Sequence, residues 1–147
     1  MIVHAGDVAI AEVIDRLGEI APVLAVRGNN DQGEFGRSLP ERVELTLGDR
    51  LIRIVHGHGG RSARSVAAEL SLGCDAVIYG HSHIPKVERV GETILINPGS
   101  PSDRRWHPHF GVGFLTFAAG VITPELVLFI DPRDLERIEL PPIHAGG

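Results

Sequence analysis

Five polar residues stand out for what their side chains could do together. Asp7, Asn29, His56, His81 and His83 offer one carboxylate, one amide oxygen and three imidazoles. No thiolate cluster accompanies them, because Cys74 is the single cysteine of the chain. A mixed oxygen and nitrogen donor set of this kind suits a divalent Mn, Fe, Zn or Ni ion rather than Ca or an iron–sulfur cluster. His81-Ser82-His83 adds a constraint. If that segment is extended, alternate side chains point to opposite sides, and its two histidines could address two neighbouring ions. Two ions roughly 3.5 to 4 Å apart form a clamp suited to in-line attack on phosphorus.

Four of the five residues follow apolar segments that read as strands. Asp7 comes after Ile2-Val3, Asn29 after Val23 to Val26, His56 after Leu51 to Val55, and His81 after Ala76 to Tyr79. The C-terminal ends of strands are where open α/β sheets place their ligands. Glycine precedes three of the four, at Gly6, Gly28 and Gly80, which permits sharp turns and close approach. Between the strands, Ile10, Val13, Ile14 and Leu17 repeat at helical spacing and predict a helix over residues 8–21. Gly28 to Gly36 reads as a loop. Val43–Leu47 and Leu51–Val55 flank Gly48-Asp49-Arg50 and predict a hairpin with a three-residue connection. Ser62 is placed to cap a second helix, which Gly73 would stop. Further strands are expected near residues 86–90, 93–97, 111–118 and 121–130, with a short helix around 133–138 and a fraying tail.

The blocks HAGD, VRGNND, IVHGH, VIYGHSHIP and INPGSPS, in this order and spacing, resemble those of the calcineurin-like metallophosphoesterases, in particular the small bacterial and archaeal phosphodiesterases. The likeness covers roughly residues 1–130, leaving 131–147 as a C-terminal tail. It implies an α/β fold, a sandwich of two mixed sheets flanked by helices. It implies that Asp7 bridges two ions, that Asn29, His56 and His81 complete one site, and that His83 belongs to the other. The implied activity is hydrolysis of a small phosphoester, a phosphodiester rather than a monoester, by attack of a metal-bound hydroxide on phosphorus.

Two features depart from the family pattern. The family's opening strand ends in Asp-x-His and precedes the HAGD block, whereas here HAGD stands at residues 4–7. The fold is therefore expected without its first strand and helix, with one complete metal site and a second holding two protein ligands. If Met1 marks a start codon placed too late, an in-frame Asp-x-His segment is expected just upstream in the genomic DNA. An uncovered sheet edge would favour strand exchange, and so a homo-oligomer. The second departure is Asn30, which occupies the place where larger phosphatases carry a proton-donating His. His58, two residues beyond His56, is the candidate substitute.

Other readings bear on the same residues. Asp7 and Asn29 also suit turns or helix caps, and His4 suits structural service. His107, His109 and His144 fall in polar loop or tail, and the Asn97-Pro98-Gly99-Ser100 turn reads as structural. Arg27, Arg104 and Arg105 read as solvated surface charge, although a guanidinium can hold a phosphate. The chain has 147 residues, enough for one domain with a core. A net charge of -5 and 5% aromatic content argue against nucleic-acid binding. No apolar run reaches the ~20 residues of a membrane helix. The lone cysteine fits a reducing cytoplasm. A fold relative in the retromer complex works through protein contacts, so a catalytically impaired binding scaffold is the alternative function. A regulatory module that binds metal or nucleotide without turnover is a weaker third.

Overall fold

The computed structural model describes residues 1–137. Its centre is a mixed five-stranded sheet in the order β3-β4-β5-β7-β6. These strands are β3 (Arg42–Leu47), β4 (Arg50–Val55), β5 (Ala76–Tyr79), β6 (Lys86–Val90) and β7 (Thr93–Asn97). The inner three run parallel, while β3 and β6 pair antiparallel at the edges. β7 is buried along its whole length, and β5 nearly so, as expected where a strand is covered on both faces. On β5, Ala76 and Ile78 face one layer and Val77 and Tyr79 the other.

One face of the sheet carries helix α3 (Ala63–Glu69), whose Ala63 and Ala67 pack on Val77, Tyr79 and Leu95. Ser62 caps this helix, its hydroxyl accepting from the Ser65 N–H at 3.1 Å. The other face packs against a second layer made of two separate pairs. One is the parallel pair β1 (Ile2–His4) and β2 (Val23–Ala25), with α1 (Ala11–Gly18) between them in sequence. The other is the long antiparallel hairpin β8 (Phe110–Ala118) and β9 (Val121–Phe129). Ile52, Ile54, Ala76 and Ile94 meet Val26, Leu24, Ile122 and Leu115 between the layers. This is the expected α/β fold, with the second layer divided into two hydrogen-bonded pairs.

Several local expectations shift. The first helix is shorter than residues 8–21, beginning only after Ile10. A short helix α2 (Gly33–Ser38) replaces part of the expected loop. Its glycines conceal it from propensity, yet Gly36 sits where any Cβ would lie 2.1 Å from the Asp31 carbonyl oxygen, so tertiary fit selects it. The β3–β4 connection is two residues, Gly48-Asp49, because Arg50 pairs with Leu47. The short helix near the C-terminus is a 3₁₀ turn over Pro132–Arg137, and the tail with His144 lies outside the described residues. No described helix is long and apolar enough to cross a membrane.

At the end of the sheet opposite the strand C-termini, Asp75 accepts from the Arg50 guanidinium and the Leu51 N–H, both at 2.8 Å. Arg50 also donates to the Gly120 carbonyl in the β8–β9 turn, linking the two layers. The bond from Arg50 holds the Asp75 carboxyl below the usual carboxylate range, helped by Leu51. A depressed carboxyl contributes stability above its unfolded pKa of about 3.9 and loses it as pH falls through the folded value. Asp75→Asn is therefore expected to melt a few degrees below wild type at neutral pH. The gap should close progressively as the pH drops below about 4, as thermal melts across pH will show.

Candidate metal centre

The C-terminal ends of β1, β2, β4 and β5 meet where the two layers face each other. Asp7 leaves β1 with φ of 58°, and His81 and His83 leave β5 with φ of 66° and 59°. Left-handed backbone at a residue with a Cβ costs on the order of 1 kcal/mol or more and persists only where the surroundings enforce it. Asp7 caps no helix, since α1 begins after Ile10. The segment from His81 to His83 is a turn rather than extended chain, so strand alternation does not separate the two rings.

Three candidate ligands converge. One donor atom each from Asp7, His56 and His81 lie within 4.8 Å of one another. His56 Nε2 stands 3.4 Å from Asp7 Oδ2, 3.2 Å from His81 Nδ1 and 3.1 Å from Asn29 Oδ1, which adds Asn29 as a fourth. Gly28 permits this closeness, because a Cβ there would stand 2.1 Å from Asp7 Oδ1. His83 is placed outside the group, its Nδ1 bonded to the Asp103 carbonyl.

The tautomer of His56 determines what this cluster can bind. Its Nδ1 lies 2.7 Å from the Ala5 carbonyl, which can only accept, so Nδ1 carries the proton. Burial lowers the pKa of His56, outweighing the opposite pull of the Ala5 carbonyl and Asp7, and keeps the ring neutral. Nε2 then presents a lone pair toward the oxygens of Asn29 and Asp7. The amide of Asn29 is oriented by its Nδ2, which donates to Asn30 Oδ1 at 3.2 Å. Lone pairs facing one another without a proton between them call for a cation. A ligating imidazole whose other N–H is held by a backbone carbonyl is a usual arrangement at metal sites. Burial also lowers the pKa of His81, against the pull of Asp7. The donor set therefore fits a divalent ion. His83 shares the pattern of His56, with Nδ1 spent on a carbonyl and Nε2 left to accept.

Three residues support the cluster: Asn97 serves the structural role expected of its turn, while the roles of Asn30 and Asp31 were not foreseen. Asn30 holds both oxygens of Asp7, its backbone N–H bonding Oδ1 and its side-chain amide Oδ2, each at 2.8 Å. Asp31, 5% exposed, accepts from the N–H groups of Asp7 at 3.0 Å, Ala9 at 2.8 Å and Gly28 at 2.7 Å. Asn97, fully buried at the end of β7, donates to the Gly80 carbonyl at 2.9 Å and the Ser82 hydroxyl at 3.0 Å. The available signal was compositional: consecutive Asn-Asn-Asp after a glycine, and a polar residue ending an apolar strand. His58 tilts against His56, ring centres 5.4 Å apart, with Nδ1 buried and, among the described residues, unpartnered. His4 Nδ1 likewise has no partner among the described residues, and burial lowers its pKa.

Residues 1–120 match the model of the calcineurin-like phosphoesterase superfamily domain. A probable metallophosphoesterase of Methanocaldococcus jannaschii is 35% identical over 107 residues, covering 69% of this chain and 53% of the relative. Phosphodiesterase YfcE of Escherichia coli is 37% identical over 101 residues, covering 64% and 53%. The chain thus spans about half the length of these curated relatives. Among solved structures, an archaeal phosphodiesterase superposes with a TM-score of 0.65 at 26% identity, covering 85% of this chain and 81% of its own. A Vps29 from Entamoeba histolytica gives 0.64 at 26% identity, covering 86% and 81%. With matched blocks, fold and relatives in agreement, the chain belongs to the calcineurin-like phosphoesterase superfamily, among its small prokaryotic members.

Proposed function

We propose that this protein hydrolyses a small phosphoester in a metal-dependent manner, acting on a phosphodiester in preference to a monoester. Asp7, Asn29, His56 and His81 would hold one divalent ion, of Mn, Ni, Fe or Zn, and His83 would serve a second. The observation that carries this reading is the cluster of facing lone pairs around His56 Nε2. Such an ion, when bound, supplies Lewis acidity toward a phosphoryl group. The chain's own residues supply position. Asn30 fixes the plane of the Asp7 carboxylate, Ala5 fixes the His56 tautomer, and Asn97 fixes the turn that carries His81. Asn29 is exposed while His56 is buried, so the cluster is dry at its base and open to a ligand on one side. The relatives named phosphodiesterase support the diester preference, and the single cysteine supports a cytoplasmic setting.

The test is hydrolysis of bis(p-nitrophenyl) phosphate and p-nitrophenyl phosphate by purified protein, after chelation and after restoring Mn²⁺ or Ni²⁺. Turnover that persists without metal, or fails with every ion, would reject the proposal. His58 is assigned as the proton donor to the leaving group, because its ring lies beside that of His56 in the cluster, centres 5.4 Å apart. His58→Gln is expected to slow hydrolysis of an alkyl ester about 10²-fold while sparing the p-nitrophenyl ester, whose leaving group needs no proton. Equal effects on both esters would remove His58 from this role.

A further inference from the structure

Trp106, the only tryptophan of the chain, is 98% exposed. It lies in the loop that follows β7, beside the candidate metal centre. Two contacts tie this loop to the candidate ligands: Arg105 Nη1 donates to the His81 carbonyl at 3.2 Å, and His83 Nδ1 donates to the Asp103 carbonyl. Alongside is a half-open cavity of about 200 Å³ whose wall includes Ser82, Ile84, Arg105, Trp106 and Pro108. Ser82 separates His81 from His83 in the chain, and Arg105 joins the cavity wall to the His81 carbonyl.

The lining is chemically selective. Its walls are predominantly apolar, and Ile84 is also exposed, at 54%. Arg104 is committed to the loop itself, donating to the His107 carbonyl at 3.0 Å and lying over the Phe110 ring. That bracing holds the intervening segment in shape. Arg105, in left-handed backbone with φ of 48°, has Nη1 on the His81 carbonyl and Nε 3.9 Å from Asp103 Oδ2, which leaves the Nη2 donors for a ligand, since a guanidinium carries five N–H groups. A cationic fork beside an apolar, aromatic wall is a local exception on a chain of net charge -5. The cavity is too small for a whole drug-sized ligand but fits one planar ring.

We infer that this cavity is the subsite for an aromatic ester group of the substrate, whose ring lies on Trp106 while Arg105 holds a phosphoryl oxygen. The inference rests on the hydrolytic reading for the identity of the phosphoryl group. The ring could belong to an aryl ester or to a nucleoside, which share the planar face that stacking requires. Lys in place of Arg105 would keep the charge but lose the planar fork.

Trp106 reports on its own occupancy, because it is the only indole in the chain. Its emission is followed, in Mn²⁺-containing buffer, during titration with phenyl phosphate against methyl phosphate, and with adenosine 5′-monophosphate against ribose 5-phosphate. A saturable change with the aromatic member of either pair, and none with its partner, is expected, weakened about tenfold or more in Arg105→Ala. Response to the nucleotide alone assigns a nucleoside ester, and response to phenyl phosphate alone an aryl ester. Equal responses within both pairs, or no response to any, overturn the inference. In turnover, Trp106→Ala should raise KM for an aromatic diester by about tenfold or more with kcat unchanged, and Trp106→Phe should restore it. An unchanged KM in Trp106→Ala also overturns it. Absence of metal-dependent turnover in wild type would reject the hydrolytic reading, while the titration still decides the subsite.

Discussion

Asp7→Ala and His81→Ala are each expected to lower metal-dependent hydrolysis on the order of 10³-fold. Both residues contribute donor atoms to the group around His56 Nε2, and losing either leaves the remaining lone pairs unable to hold an ion at low concentration. A second readout separates lost binding from lost chemistry. An ion at about 100 times its dissociation constant stabilises the folded state by about 2.7 kcal/mol. Wild type should therefore melt at a higher temperature with Mn²⁺ than without, and both variants should lose that difference. Wild-type-like activity in Asp7→Ala would remove the cluster from the chemistry, whatever the family resemblance implies.

Asp31→Ala is expected to be the most destabilising single change near the site. The carboxylate is buried and satisfies three backbone N–H groups from two loops, at Asp7, Ala9 and Gly28. Each buried donor left without a partner costs about 1 to 3 kcal/mol, so the sum should reach roughly 3 to 5 kcal/mol after relaxation. Asp31→Asn keeps the shape but replaces one accepting oxygen with a donor, and should lose about 2 kcal/mol. Chemical denaturation measures both. Metal affinity should fall as well, because Asp31 fixes the strained backbone on which Asp7 sits. A denaturation midpoint equal to wild type in Asp31→Ala would show that the loops hold themselves without it.

The contrast between Asp7 and Asp31 illustrates what was legible in the sequence. Asp7 follows a short apolar strand and a glycine, a pattern visible in a few consecutive residues. Asp31 acts on N–H groups up to 24 residues away, and nothing local marks a loop aspartate as such a hub. The strands of the central sheet followed from apolar runs between turn signals, as did the capping by Ser62. Helix α2 did not, because its glycines reflect a tight fit against Asp31 rather than helix propensity. The conformation of His81 to His83 was hidden for a related reason: their left-handed backbone is imposed by the loops around them. The division of the second layer into two pairs depends on contacts between distant strands, which periodicity does not encode. Arg105 read as solvated charge, and its bond to the His81 carbonyl became visible only when two loops 24 residues apart met.

The candidate centre draws on both layers of the sandwich: Asp7 and Asn29 extend from the small β1–β2 pair, His56 and His81 from the five-stranded sheet. Two strands of three residues form too small a unit to stand alone, so an ion held between them would act as a rivet. By thermodynamic reciprocity, whatever factor the ion adds to the docking of that pair, docking returns to the ion's affinity. Amide exchange at Ile2 to His4 and Val23 to Ala25 should then slow as the ion is added, so that the tightness of the β1–β2 pair itself becomes a gauge of occupancy.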